Sequence, residues 1–109
     1  MKTIINMTPH ALKIQKIDGS FVELPKPVEG TLVPRRAVKS EAGESIHGLA
    51  VSKTVFGEVQ DLPEEIKDTI YVVSRLVLDG APHRQDLFSP GELLRDNNGA
   101  VIGAKGLAQ

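Results

Sequence analysis

Thr69-Ile70-Tyr71-Val72-Val73-Ser74 is the stretch on which the fold turns. The run from Ile70 to Val73 is continuously apolar, β-branched or aromatic, so neither face of a strand built from it is polar. That is the pattern of a strand covered on both sides in the middle of a sheet. Beyond this strand two periods compete. Val73, Leu76, Val77 and Gly80 share helical spacing, whereas Ile70, Val72, Leu76 and Leu78 fit a longer strand. Ser74 suits an N-cap and Gly80 a terminator, with Pro82 just beyond, and this chemistry predicts one short helix directly after the core strand.

Towards the C-terminus, Leu93-Leu94-Arg95 and Ala100-Val101-Ile102 flank Asp96-Asn97-Asn98-Gly99. Asn98-Gly99 favours the positive φ angles of a type I′ turn, which predicts a hairpin. Gly103 and Gly106 loosen the tail beyond it, where Leu107 can still pair. Towards the N-terminus, Leu62-Pro63-Glu64-Glu65 reads as one helical turn, with Pro63 in its first position. Leu49 to Val59 reads as a strand carrying Val51, Val55 and Val59, with a bulge at Gly57. Ser40 to Gly48 reads as an exposed loop, and Thr31 to Lys39 as an edge or bulged strand interrupted by Pro34. Pro25, Pro27 and Gly30 break the chain before it. Leu12 to Leu24 forms a hairpin about Asp18-Gly19, and Ile4-Ile5 a short strand ended by Asn6-Met7-Thr8-Pro9-His10. The expected fold class is α+β, mostly β: a small antiparallel sheet or partly open barrel with one short helix, in a single domain over residues 1–109.

Composition narrows the function. With 40% hydrophobic and 25% charged residues the chain is ordinarily globular, and a chain of 109 residues buries roughly 65% of its unfolded surface in one core. The absence of Trp makes that core aliphatic and argues against base-stacking platforms. A net charge of -1 gives no general attraction for extended nucleic acid or an acidic membrane. Zero cysteines exclude disulfides, thiolate metal sites and a cysteine nucleophile, and fit a reducing cytoplasm. The apolar part of the N-terminus is too short for a signal-peptide core, and no run approaches membrane-span length. A cytoplasmic protein is expected.

Three segments carry a resemblance. They are Asn6-x-Thr8-Pro9-His10, Thr69 to Ser74, and Arg84-x-Asp86-Leu87-x-x-Pro90-Gly91 with Leu93-x-Arg95-Asp96-x-x-Gly99-x-x-Ile102-Gly103. Together they resemble a group of short uncharacterised proteins encoded by bacteriophages and prophages. The resemblance implies a phage setting and brings no catalytic residues. Small phage proteins of this size often neutralise a host component, some by sequestering nucleotide signals of host defence.

The chemistry on offer is cationic. His10, His47 and His83 are too scattered for a metal motif, and no nucleophile elbow, phosphate-binding loop or dinucleotide fingerprint occurs, so neither catalysis nor a cofactor or metal is expected. Arg75, Arg84 and Arg95 flank the core strand and the C-terminal hairpin, with Arg35-Arg36 elsewhere. Guanidinium forks that converge would hold phosphate bidentately. Thr8, His10 and Ser89 would add polar contacts, and Asp86 would order Arg84 or pair with it outright. The expected function is noncatalytic capture of a small anionic, nucleotide-like ligand by a homo-oligomer with the site near a subunit boundary. The alternative is an inhibitor or adaptor acting on a host protein through a sheet edge or through Ala37 to Gly48, and a small hydrolase ranks last.

Overall fold

Tyr71, Val72 and Val73 are all buried, as the two-sided apolar run requires, and the other elements assemble around them. The computed structural model describes residues 2–109. It contains, in chain order, strands β1 (Thr3–Asn6), β2 (Leu12–Gln15), β3 (Phe21–Leu24), β4 (Arg35–Ala42), β5 (Ser52–Gln60) and β6 (Thr69–Val72), helix α1 (Arg75–Asp79), and strands β7 (Leu87–Arg95) and β8 (Val101–Ala108). Six strands form one sheet in the order β1-β6-β7-β8-β2-β3, and β4 pairs with β5 in a separate two-stranded sheet.

The larger sheet is nearly closed. Its two edges, β1 and β3, meet through Asn6, whose amide nitrogen donates to the carbonyls of Leu24 (3.3 Å) and Pro25 (3.2 Å). Pairing is mixed rather than antiparallel throughout: β1–β6, β6–β7 and β2–β8 run parallel, while β7–β8 and β2–β3 are antiparallel. The partly open barrel is therefore the architecture, with parallel crossovers that adjacent-strand reasoning does not anticipate.

The core lies where α1 covers one face of β6 and β7. Met7, Tyr71, Val73, Val77, Leu78, Ala81 and Leu87 form it, and Ile5, Val59 and Leu62 pack against it. Val72 is fully buried but outside this cluster, as alternation along β6 demands. Ser74 caps α1, its hydroxyl accepting from the Val77 amide, and Gly80 ends it.

Several local expectations change. The strand expected from Thr31 begins only at Arg35, past Pro34, and it continues to Ala42 through residues read as loop. Residues 61–68, where a helical turn was expected, contain no helix; the Thr69 amide instead donates to the Ile66 carbonyl in a turn. In the C-terminal hairpin only Gly99 takes a positive φ (82°), so the turn is not type I′. The Asp96 carboxylate accepts from the Asn98 and Ala100 amides and holds Asn98 out of the left-handed region.

The β4–β5 ribbon is a long projection. It carries a bulge between Arg36 and Val38, opposite Gly57, and the resulting shift places Val55 and Val59 on opposite faces despite their four-residue spacing. Overall the chain measures 55 × 39 × 26 Å, with a radius of gyration of 17.1 Å. A compact chain of this length would have about 13 Å.

Candidate functional site

The seven residues singled out by sequence occupy five places. Thr8 and His10 belong to a knot that closes the sheet. Asn6 Oδ1 accepts from the Thr8 amide (2.9 Å) and lies 2.7 Å from Thr8 Oγ1, while Asn6 Nδ2 donates to the His10 carbonyl (2.7 Å). Thr8 Oγ1 is also 3.0 Å from that carbonyl, and its single proton serves one acceptor or the other. Thr8 is buried and the His10 side chain is exposed, so His10 enters the knot through its backbone.

Arg75 lies exposed on α1, 3.1 Å from Asp79 one turn away. Arg84 is placed differently. Its Nε and Nη2 each donate to one oxygen of Asp86 at 2.8 Å, Nη2 also donates to the Pro63 carbonyl (2.9 Å), and Glu65 Oε1 lies 3.3 Å from Nε. The two side chains are only 10% and 12% exposed. The Arg84 fork holds the Asp86 carboxyl below the ordinary carboxylate range, and Asp86 in turn raises the guanidinium. This pair ties residues 63–65 to the start of β7. Ser89 is buried within β7, and Arg95 donates from Nη1 to the Gly99 carbonyl (2.8 Å) across its own hairpin. Among the described residues, no side-chain hydrogen bond or ion pair joins one of these five places to another. Arg84 also borders a shallow depression of about 370 Å³ with Leu78, Asp79, Ala81 and Pro82.

Sequence reasoning gave strands in both arms, the bulge at Gly57 and Ala37 to Gly48 as a contact surface, but not the pairing of the two arms into one ribbon. Its base is anchored: Val59 packs on the core, Arg35 meets Asp61, and Arg36 donates to the carbonyls of Gly57 (2.8 Å) and Leu76 (3.4 Å) with its guanidinium 4.8 Å from the centre of the Phe56 ring. The approach is close enough that a Cβ on Gly80 would lie 2.6 Å from Val59 Cγ2. Beyond this base the described ribbon residues are mostly exposed. By register Val38 stands opposite Phe56, and Ser40 opposite Thr54, on the face that continues from Val59. Val38 is 50% and Phe56 51% exposed, and Ile46 and Leu49 are exposed at the tip. One signal for it was present: two extended segments of similar length, Arg35–Ala42 and Ser52–Gln60, flank a Gly-containing connection. Its polar and acidic residues, Ser40, Glu41 and Glu44, favoured the loop reading instead.

No family model matches the chain, no curated protein matches it, and no solved structure matches its fold.

Proposed function

We propose that the chain is a noncatalytic protein-binding module, an inhibitor or adaptor, whose working surface is the β4–β5 ribbon. The observation that carries this reading is the half-exposed Val38–Phe56 pair on a ribbon anchored at one end and bare beyond it. An isolated two-stranded ribbon is marginal in water, and a paired aromatic and aliphatic residue on an open strand face is the kind of anchor a protein partner covers. Capture of a small phosphorylated ligand is less well supported, because within one chain Arg75, Arg84 and Arg95 each have a local partner.

A photo-crosslinking phenylalanine analogue placed at Phe56, with the same analogue at Phe21 as control, tests the reading in cells. Protein adducts at position 56 and not at position 21 are expected. Adducts at neither position, together with thermal stabilisation by nucleotides that Arg75→Ala and Arg95→Ala abolish, would replace it with anion capture.

A further inference from the structure

Surface bookkeeping measures how much of the chain is left uncovered. A folded monomer of 11.8 kDa exposes about 5,900 Å². This chain exposes 8118 Å². The excess, about 2,200 Å² on one chain, is more than twice the roughly 800 Å² that a partner contributes to an ordinary interface, and falls in the range of obligate assemblies. A chain with that much uncovered surface needs an occupant present whenever the chain itself is made, and another copy of the chain meets that condition.

Charge agrees. Between Arg35 and Asp61 four basic residues (Arg35, Arg36, Lys39, Lys53) balance four acidic ones (Glu41, Glu44, Glu58, Asp61), several already matched, as Arg35 with Asp61 and Glu41 opposite Lys53. An arm without net charge neither repels its own copy nor is steered towards a strongly charged partner. The face bearing Val38 and Phe56 offers the same residues from both sides of a twofold axis.

We infer that the ribbon is a self-association arm: two copies of this chain pair through the face bearing Val38 and Phe56. This rests on the ribbon being a protein-docking surface, and it names the first occupant.

Sedimentation velocity of the purified full chain tests it, with Phe56→Glu, Val38→Glu and the combined Ser40→Arg/Thr54→Arg variant, and Ile17→Glu as a control at a fully exposed residue off the ribbon. Circular dichroism checks the fold. The wild type and Ile17→Glu are expected to sediment as a dimer or larger species, and each folded ribbon variant to dissociate with a Kd raised about thirtyfold or more, the effect of losing an interface anchor. The Ser40→Arg/Thr54→Arg variant keeps the test alive if Phe56→Glu does not fold. A monomeric wild type at about 100 µM, well above the Kd of stable assemblies, overturns the inference. So does an oligomer unaffected by every ribbon variant. A monomeric wild type that still forms position-56 adducts with a different protein overturns self-association and leaves the docking reading standing; absence of any adduct removes both.

Discussion

Replacing Arg84 by methionine is expected to destabilise the chain by about 3 kcal/mol, the lower end of what breaking a buried ion pair costs when one charge is left behind. The size follows from the surroundings. Asp86 is 12% exposed and receives two charge-assisted hydrogen bonds from Arg84, so the variant strands a carboxylate that water barely reaches. Asp86→Asn should cost less, because Arg84 keeps the Pro63 carbonyl and Glu65. The double variant should recover about 2 kcal/mol relative to the sum of the singles. Urea unfolding at fixed protein concentration reads this as a midpoint lowered by about 1–3 M for Arg84→Met. The pH dependence has a definite sign. Asp86 has a depressed pKa in the folded state, so the pair's contribution is complete above the unfolded value of about 3.9 and is lost as pH falls through the lower folded value. The gap between wild type and Arg84→Met should therefore be constant near neutrality and narrow in acid. A loss below about 0.5 kcal/mol, typical of a plain surface change, with phosphate-dependent stabilisation abolished, would overturn this role and return Arg84 to ligand binding.

Asn6→Ala removes the clasp between the two sheet edges and leaves the buried Thr8 amide without its acceptor, while the Thr8 hydroxyl keeps the His10 carbonyl, for an expected loss of about 2–3 kcal/mol in the same urea assay. Gly91→Ala would bring a Cβ to the Lys105 carbonyl oxygen where β7 and β8 pair, a backbone contact that no rotamer relieves. The variant should lose more than about 2 kcal/mol or accumulate insolubly, and a wild-type melting temperature would show that the two strands can part there without penalty.

Much of the fold was legible from residues whose local and tertiary preferences agree. The two-sided run at Ile70–Val73 became the buried centre, Ser74 and Gly80 bounded the helix, and Asp18-Gly19 turned a hairpin. Two local details came out differently because groups inside the windows themselves compete with the simple pattern. Asp96 satisfies the turn amides and keeps Asn98 from the type I′ geometry. The bulge at Gly57 reverses the faces of Val55 and Val59. The motifs at Asn6–His10 and Arg84–Asp86 look functional as strings because they hold polar groups near prolines, yet each spends its hydrogen bonds within the fold: the first joins β1 to β3, and the second pins residues 63–65. The two strands of the ribbon were legible, but their extension through Ser40–Ala42 and their pairing with each other were not. The ribbon's polar loop-like composition reflects its exposure in the chain, and an exposed strand lacks the apolar density by which a core strand is read.

Hydrogen–deuterium exchange at high and low protein concentration puts the self-association role of the ribbon to its sharpest test. Peptides spanning Arg35–Gln60 are expected to exchange at least about tenfold more slowly in the concentrated sample, while peptides from β6 and β7 exchange alike in both. Ribbon exchange independent of concentration, or concentration-dependent protection confined to the six-stranded sheet, would rule that role out.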